Sequence, residues 1–463
     1  MPELTIAAVE VEAVRGPAGR FPYPVQWQVV PLDVYRAPGE PARAPAEPDP
    51  AAIVEALYVR ITTRQGPQGC YGPVDLAAAW PLTRILAPFL AGQDALAGAT
   101  LWDKMQRLDR HSRHGHLKLA ISAADNALWD LRGRAFDAPV WQLLGGSGRA
   151  SVPAYVSTLG APHDAATVRT LARELAGMGF AGQKWFPAHG RGSGADGMRA
   201  NIALAETIRD AVGPDVPLMF DAFMSWDLPY AIAWSQAVAH VRPGWLEEPF
   251  APSQVDAYAA LRDKTEIPLA AGEHLYDRPD VLPFLSQRLL TVLQPDPEWC
   301  GGVTELTRIC ALAETFGVPV IPHGHGLHAA IHVIASQSPG TCPMAEYLYR
   351  IAPGLHRFEA TPPEPAAGAF TLPRRPGFGI ELNDDVITSR RPWDGRLLAL
   401  VTGAGYWRYR CCSVTLFGWV IEGWGRRLTG FWWRSWPGRR GITRGGGASA
   451  GRKRRPRWPA CAG

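Results

Sequence analysis

The sequence predicts an α/β protein: a (β/α) barrel preceded by an α+β unit. Three observations point there. From Ser151 onward, short apolar runs alternate with amphipathic helical stretches, the rhythm of βαβ units and a parallel sheet. Seven or eight such units fit into about 200 residues, which suits a closed barrel better than an open sheet. Titratable residues recur at the ends of successive runs, one unit apart.

Taken in order, residues 1–15 alternate, with Leu4, Ile6, Val9 and Val11 set against Glu10 and Glu12, and predict a strand. Residues 16–52 are rich in Pro, Gly and Ala and predict a long loop. Residues 55–64 predict a second strand, followed by the turn-prone stretch GPQGCYGP. Helical patterns run over 74–96 and 99–110. A long helix follows through LKLAISAADNALWDLRGRAF, where Leu117, Ala120, Ile121, Ala124, Leu128 and Leu131 recur at three- and four-residue steps. Strands first and helices after make residues 1–150 an α+β unit, closed by Gly145 and Gly146.

Residues 151–350 predict the barrel. Its strand-like runs are VPAYVST, GFAGQKWF, VPLMFDAF, GWLEEPF, IPLAAGEH, LLTVLQPD and VPVIPHGHG. Helical stretches over 196–212, 229–241, 254–264, 279–289 and 303–317 lie between them. Residues 351–390 return to loop and short strand, and predict a segment packing back on the first unit. Residues 391–463 break the pattern: they hold eight of the 18 Trp, and 15 basic residues against Asp394 and Glu422. This composition suits a non-native or disordered extension, such as a shifted reading frame in a GC-rich gene, and the 42 Arg against five Lys fit such a source. The competing reading is a tail that binds nucleic acid or membrane.

Composition bounds the function. With 47% apolar and 19% charged residues, the 463-residue chain can bury a large core. Seven cysteines without a CxxC pair exclude a small disulfide scaffold and argue against a structural zinc site. No apolar run reaches the roughly 18 residues of a membrane span, and no signal peptide is visible, so the expectation is a soluble cytoplasmic protein. The net charge of +4 hides a basic end; without residues 391–463 the chain has 32 basic and 41 acidic groups, which gives no reason to expect nucleic-acid binding.

The chemistry-bearing residues are Asp221, Glu247, Glu273, Asp296 and His323, each at the end of a strand-like run and separated by 26, 26, 23 and 27 residues. In a parallel barrel this spacing gathers them at the C-terminal ends of the strands. Three converging carboxylates repel unless a cation neutralises them, and oxygen-only ligands suit Mg²⁺. Glu248 competes with Glu247 for the ligand position. Neighbours on a strand point to opposite faces, and the spacing favours Glu247.

These residues resemble the enolase superfamily in its mandelate racemase branch, over residues 5–390. The stretch AISAADNALWDLRGRAFDAPVWQLLGG is similar to that branch's signature ahead of the barrel. The resemblance implies an enolase-type modified barrel with an N-terminal capping domain, and Asp221, Glu247 and Glu273 as Mg²⁺ ligands. It also implies an Asp296–His323 dyad, with Glu346 near the substrate carboxylate. The stretches MFDAFMSWDLPYA, GEH, QPDPEWCGG, IPHGH and PGFGIEL are similar to acid-sugar dehydratases within the branch. Where much of the branch carries Lys-x-Lys, this chain has Lys184-Trp185-Phe186. Phe186 cannot take a proton, which leaves His323 as base and Lys184 as fixed cation.

The expected function is therefore Mg²⁺-dependent removal of water from an aldonic acid, rhamnonate-like, giving a 2-keto-3-deoxy acid. Glu346 would hydrogen-bond the substrate if protonated, and His323 could also protonate the leaving hydroxyl. The alternatives are a racemase or epimerase of a 2-hydroxy acid, and a scaffold or nucleic-acid-binding protein using the tail. His274 and His325 are the expected substrate contacts. Arg20, Phe21, Tyr23 and Trp27, with the turn near Cys70–Pro73, are the expected lining of the mouth. The expected partners are a small acid sugar and further copies of the chain, as a dimer or an octamer, with no nucleic acid and no membrane.

Overall fold

The computed structural model describes residues 4–20, 22, 28–35, 49–393 and 395. Phe21, Tyr23, Trp27, Asp394 and the stretch 396–463 lie outside them, and with them most of the expected mouth lining and nearly all of the basic tail.

Alternation at the N-terminus produces β1 (Ile6–Pro17), whose Ile6, Val9, Val11 and Ala13 are buried. It pairs antiparallel with β2 (Ile53–Thr63), from Ala8 opposite Thr62 to Pro17 opposite Ile53. The stretch that reads as a turn contains β3 (Gln68–Tyr71), antiparallel to β2 with Tyr71 opposite Val59. Four residues are too few for a periodicity to register. What fixes β3 is tertiary: a Cβ on Gly69 would lie 2.3 Å from the carbonyl oxygen of Ala127, so the strand backbone sits directly on the helix Gly115–Ala135.

That helix is buried on its polar side as well as its apolar one, and buried polar groups demand partners. Asp125 accepts from the backbone N–H of Thr304 at 2.9 Å and its hydroxyl at 2.7 Å. Asn126 accepts from the N–H of Val303 and donates to the carbonyl of Pro297. Ser122 accepts from the N–H of Gly301 at 2.9 Å. These groups satisfy the open N-terminal turn of the helix Gly302–Thr315 and fix the loop before it, which carries Asp296. Gly302 sits at φ +83°, where a Cβ would meet Asp125 Oδ2 at 2.4 Å.

The barrel strands are β4 (Ser151–Ser157), β5 (Gln183–Trp185), β6 (Leu218–Asp221), β7 (Trp245–Glu247), β8 (Leu269–Ala271), β9 (Val292–Leu293) and β10 (Ala345–Leu348). They run parallel in the order β10-β4-β5-β6-β7-β8-β9. The expected run VPVIPHGHG supplies the remaining position with one bridge, Val320 to Leu293, and the N–H of Val320 donates to Thr341. Two further strands, β11 (Ala369–Thr371) and β12 (Ser389–Pro392), pair antiparallel with β4 and β1. Tyr155, Met219, Trp245, Ala270 and Ile321 pack together as a layer of their own. Two residues beyond Met219 and Trp245, on the same face of their strands, stand Asp221 and Glu247. Among the described residues no helix is long and apolar enough to cross a membrane.

Candidate active site

Register brings the first two acids together, with Asp221 and Glu247 as direct Cα partners at the ends of β6 and β7. Lys184 of β5 lies one strand away and is almost wholly buried. Its Nζ is 2.6 Å from Glu247 Oε1, 2.8 Å from Glu346 Oε1 and 3.5 Å from Asp221 Oδ2. The far oxygen of Glu247 accepts from Trp245 Nε1 at 3.0 Å and Gln294 Nε2 at 2.8 Å. Glu247 is thus fixed at both oxygens.

Glu273, just past β8, gathers with Glu248 and His274, each offering a donor atom within 4.8 Å of the others. His274 Nδ1 lies 2.9 Å from Glu248 Oε2 and 3.4 Å from Glu273 Oε1. The expectation that Glu248 turns away from the cluster does not hold. Glu248 adopts φ +36°, so strand alternation ends at Glu247 and both side chains are buried here. Glu248 Oε1 has no hydrogen-bond partner among the described residues.

Asp296 and His323 form a buried pair, with His323 Nδ1 2.8 Å from Asp296 Oδ2. Asp296 also accepts the N–H groups of Glu298 and Gly326, which lock its carboxylate in place. The other ring nitrogen of His323 lies 3.0 Å from Glu273 Oε2. Lys184 thus gathers Asp221, Glu247 and Glu346, and Glu273 gathers His323, Asp296 and His274; Glu346, which accepts the N–H of Gly324 next to His323, lies between the two groups. His325 lies with its Nδ1 2.8 Å from Glu298 Oε2. Arg20 is exposed.

The electrostatics are those of crowded, buried acids. Burial and then Glu247 push the Asp221 carboxyl well above the usual range, against the pull of Lys184. Burial pushes Glu273 up to about 7, although His323 and His274 oppose it. Burial disfavours charge on Lys184, yet Glu247 and Glu346 hold it protonated far above its ordinary value. Burial works against His323 in the same way, but Glu273, Asp296 and Glu346 raise it to about 10. Six carboxylates, counting Glu248, share one lysine and two histidines. This excess, the raised Asp221 and Glu273, and the unpartnered Glu248 oxygen fit a site that takes a hard divalent cation on oxygen ligands.

Glu346 departs from the expected form. Burial raises its carboxyl, but Lys184 and His323 outweigh burial and bring it to about 2. Ionised, it accepts the N–H of Gly324 at 2.9 Å and holds Lys184; it is an acceptor here and not a donor.

Several residues at the site escape sequence reasoning. Trp299 lies against three imidazoles, with ring centroids 5.1 Å from His323, 5.4 Å from His325 and 5.7 Å from His274. Glu298 carries the usable signal: it stands two residues after Asp296, as His325 stands two after His323. Gln294 and Tyr155 offer none, because their roles come from contacts across the barrel.

Comparison with known proteins agrees with this arrangement. Residues 167–386 match the enolase C-terminal domain-like family, and residues 39–145 match the N-terminal domain of mandelate racemase / muconate lactonizing enzyme. The chain is 35% identical over 325 residues to the L-rhamnonate dehydratase of Saccharopolyspora erythraea, covering 68% of this chain and 80% of that protein. It resembles the crystal structure of rhamnonate dehydratase from Gibberella zeae complexed with Mg, with a TM-score of 0.72 and 26% identity, over 83% of this chain and 96% of that one. It also resembles a racemase from Streptomyces coelicolor with bound magnesium, with a TM-score of 0.67 and 26% identity, over 82% and 99% of the two chains. A barrel with acids at its strand ends, both matched domains and a relative at this identity lead to one conclusion: the chain belongs to the mandelate racemase / muconate lactonizing enzyme family of the enolase superfamily.

Proposed function

We propose that the chain is a Mg²⁺-dependent acid-sugar dehydratase that removes water from an aldonic acid, rhamnonate-like, to give a 2-keto-3-deoxy acid. The observation that carries this reading is the single Asp296–His323 pair beside the acidic cluster, with Lys184 held protonated and Phe186 in the other basic position. The rhamnonate dehydratase names of the relatives supply the substrate class.

Asp221, Glu247 and Glu273 would hold Mg²⁺, which when bound supplies positive charge for a substrate carboxylate. His323 takes the α-proton on Nε2, because Asp296 engages Nδ1 and fixes the ring. Glu273, Asp296 and Glu346 raise the basicity of that ring against burial, and the share from Glu273 would be withdrawn when that carboxylate holds Mg²⁺, which would leave the ring free to accept a proton. Lys184 contributes fixed positive charge beside the reacting carboxylate and is too firmly protonated to act as a second base. Glu346 holds Lys184 with one oxygen and the backbone beside His323 with the other. With one acceptor only, removal of the α-proton leads to loss of the β-hydroxyl, and the enol formed tautomerises to the keto acid.

The test is turnover of a panel of aldonic and aldaric acids with Mg²⁺, followed by detection of 2-keto-3-deoxy acids. Dehydration of an aldonic acid that stops with EDTA and returns with Mg²⁺ supports the reading. Inertness toward the whole panel refutes it.

A further inference from the structure

A carboxylate has two oxygens, and how many it offers bears on which divalent cation it suits. Mg²⁺ is small and demands near-octahedral order, whereas Ca²⁺ is larger, takes roughly six to eight oxygens and accepts a carboxylate through one oxygen or both. Asp221 and Glu247, Cα partners at the ends of β6 and β7, each have one oxygen taken by N–H donors. Glu247 Oε2 accepts from Trp245 Nε1 at 3.0 Å and from Gln294 Nε2 at 2.8 Å. Asp221 Oδ1 accepts the backbone N–H of Phe223 at 2.8 Å. Phe223 and Met224 have φ of +52° and +55°, a left-handed turn that brings this N–H back onto the acid. The other two oxygens, Glu247 Oε1 and Asp221 Oδ2, both face Lys184 Nζ, at 2.6 Å and 3.5 Å. Glu273 instead faces two imidazoles, His274 at 3.4 Å and His323 at 3.0 Å.

The clamp on Glu247 is made of side chains, and each is held in turn. Trp245 stands two residues before Glu247 on β7, on the same face of the strand. Its ring meets that of Tyr155 edge to face, with centroids 5.4 Å apart. Gln294 follows β9 and stands two residues before Asp296. It is 1% exposed, and its Nε2 also lies 3.5 Å from the Tyr155 hydroxyl. Turning the amide over would set its oxygen against the Glu247 carboxylate, two acceptors at hydrogen-bond distance. Gln294 keeps its N–H groups on Glu247 although its own oxygen has no partner among the described residues. An unmet buried acceptor is unfavourable, so the contact with Glu247 decides how the amide is oriented.

We propose that Trp245 and Gln294 are positioning residues for the metal: by occupying Glu247 Oε2 they leave Oε1 as the single oxygen that Glu247 offers, and so make the site select Mg²⁺ over Ca²⁺. This rests on the reading of Asp221, Glu247 and Glu273 as the Mg²⁺ ligands. The Phe223 N–H does the same for Asp221 from the backbone. With Oε2 released, Glu247 can swing and present both oxygens, which a larger and less demanding cation tolerates and Mg²⁺ does not. Losing groups that orient a metal ligand typically lowers affinity about 10–100-fold.

The experiment titrates the metal-free protein with MgCl₂ and with CaCl₂ by calorimetry, without substrate. It compares the unmodified chain with Gln294→Met and Trp245→Phe. Gln294→Met removes the amide at similar length; Trp245→Phe removes the indole N–H and keeps a ring against Tyr155. For Gln294→Met we expect Mg²⁺ affinity to fall about 10–100-fold while Ca²⁺ affinity changes less than about threefold. The preference for Mg²⁺ therefore shrinks about tenfold or more. Trp245→Phe should shift the preference the same way by a smaller factor, which keeps the test decisive should Gln294→Met fail to fold. Mg²⁺ affinity within about twofold of the unmodified protein in either folded variant overturns the assignment. Equal losses for the two cations also overturn it, since general loosening of the site would not distinguish them. An unmodified protein that binds no Mg²⁺ refutes the ligand reading, and this assignment with it. One that binds Mg²⁺ with the expected preference but leaves every acid of the panel untouched refutes the dehydratase reading alone.

Discussion

Replacing Glu359 with glutamine removes the charge around which three elements are assembled. Glu359 is buried and lies 2.7 Å from His328 Nε2 and 2.9 Å from His356 Nδ1, with the Tyr58 hydroxyl of β2 at 3.4 Å. His328 belongs to the helix Leu327–Ser336, which follows the turn carrying His323. Burial alone would raise the Glu359 carboxyl, but the two histidines outweigh it and bring it down from 4.5 to about 2. That drop corresponds to about 3 kcal/mol of stability. The sign follows from the depressed value. The contribution is complete above the unfolded carboxyl's range and is lost as pH falls toward the folded one, with about 2 kcal/mol gone by pH 3. His328 has the opposite sign: burial disfavours its charge, Glu359 raises its pKa above 6.5, and its contribution fades as pH rises through that raised value. Urea unfolding at pH 7 should therefore show Glu359→Gln less stable by about 3 kcal/mol with an unchanged slope. The gap to the unmodified protein should narrow by pH 3. A loss below about 1 kcal/mol at pH 7, or a gap that does not change with pH, would refute the reasoning.

Three further outcomes are expected at the site. Glu247→Gln should weaken Mg²⁺ binding and abolish turnover while Glu248→Gln does much less, as read by metal titration; the reverse order would make Glu248 the ligand. His323→Asn should neither dehydrate the substrate nor exchange its α-proton with D₂O, whereas Asp296→Asn, which orients and tunes the ring, should lose about 10–100-fold; exchange persisting in His323→Asn would point to another base, Lys184 first. NMR of unreacted acid at partial conversion in D₂O should show no C2 epimer, because Lys184 cannot accept a proton and Phe186 has none to exchange; epimer formed as fast as product would restore the racemase reading.

The barrel and its acids are legible in the sequence because parallel βαβ units repeat. A repeat of 23 to 27 residues places each strand end at the same height, so Asp221, Glu247, Glu273, Asp296 and His323 share one end of the barrel whatever fills the loops. Phe186 in the place of a second base is legible through the resemblance to the family's Lys-x-Lys pattern. Three features are not legible there. Glu248 joins the cluster because its backbone leaves the strand at φ +36°, a local conformation that alternation cannot anticipate. β3 pairs with β2 in a stretch too short to show alternation, and its backbone lies so close to the helix Gly115–Ala135 that a Cβ on residue 69 would sit 2.3 Å from the carbonyl oxygen of Ala127. The ionised Glu346, held by Lys184, arises between residues far apart in the chain. Periodicity records which way a side chain faces, and so the sequence by itself determines the scaffold and the acids it presents. Charge state and hydrogen-bond partner depend on what stands opposite, and that only the folded barrel decides.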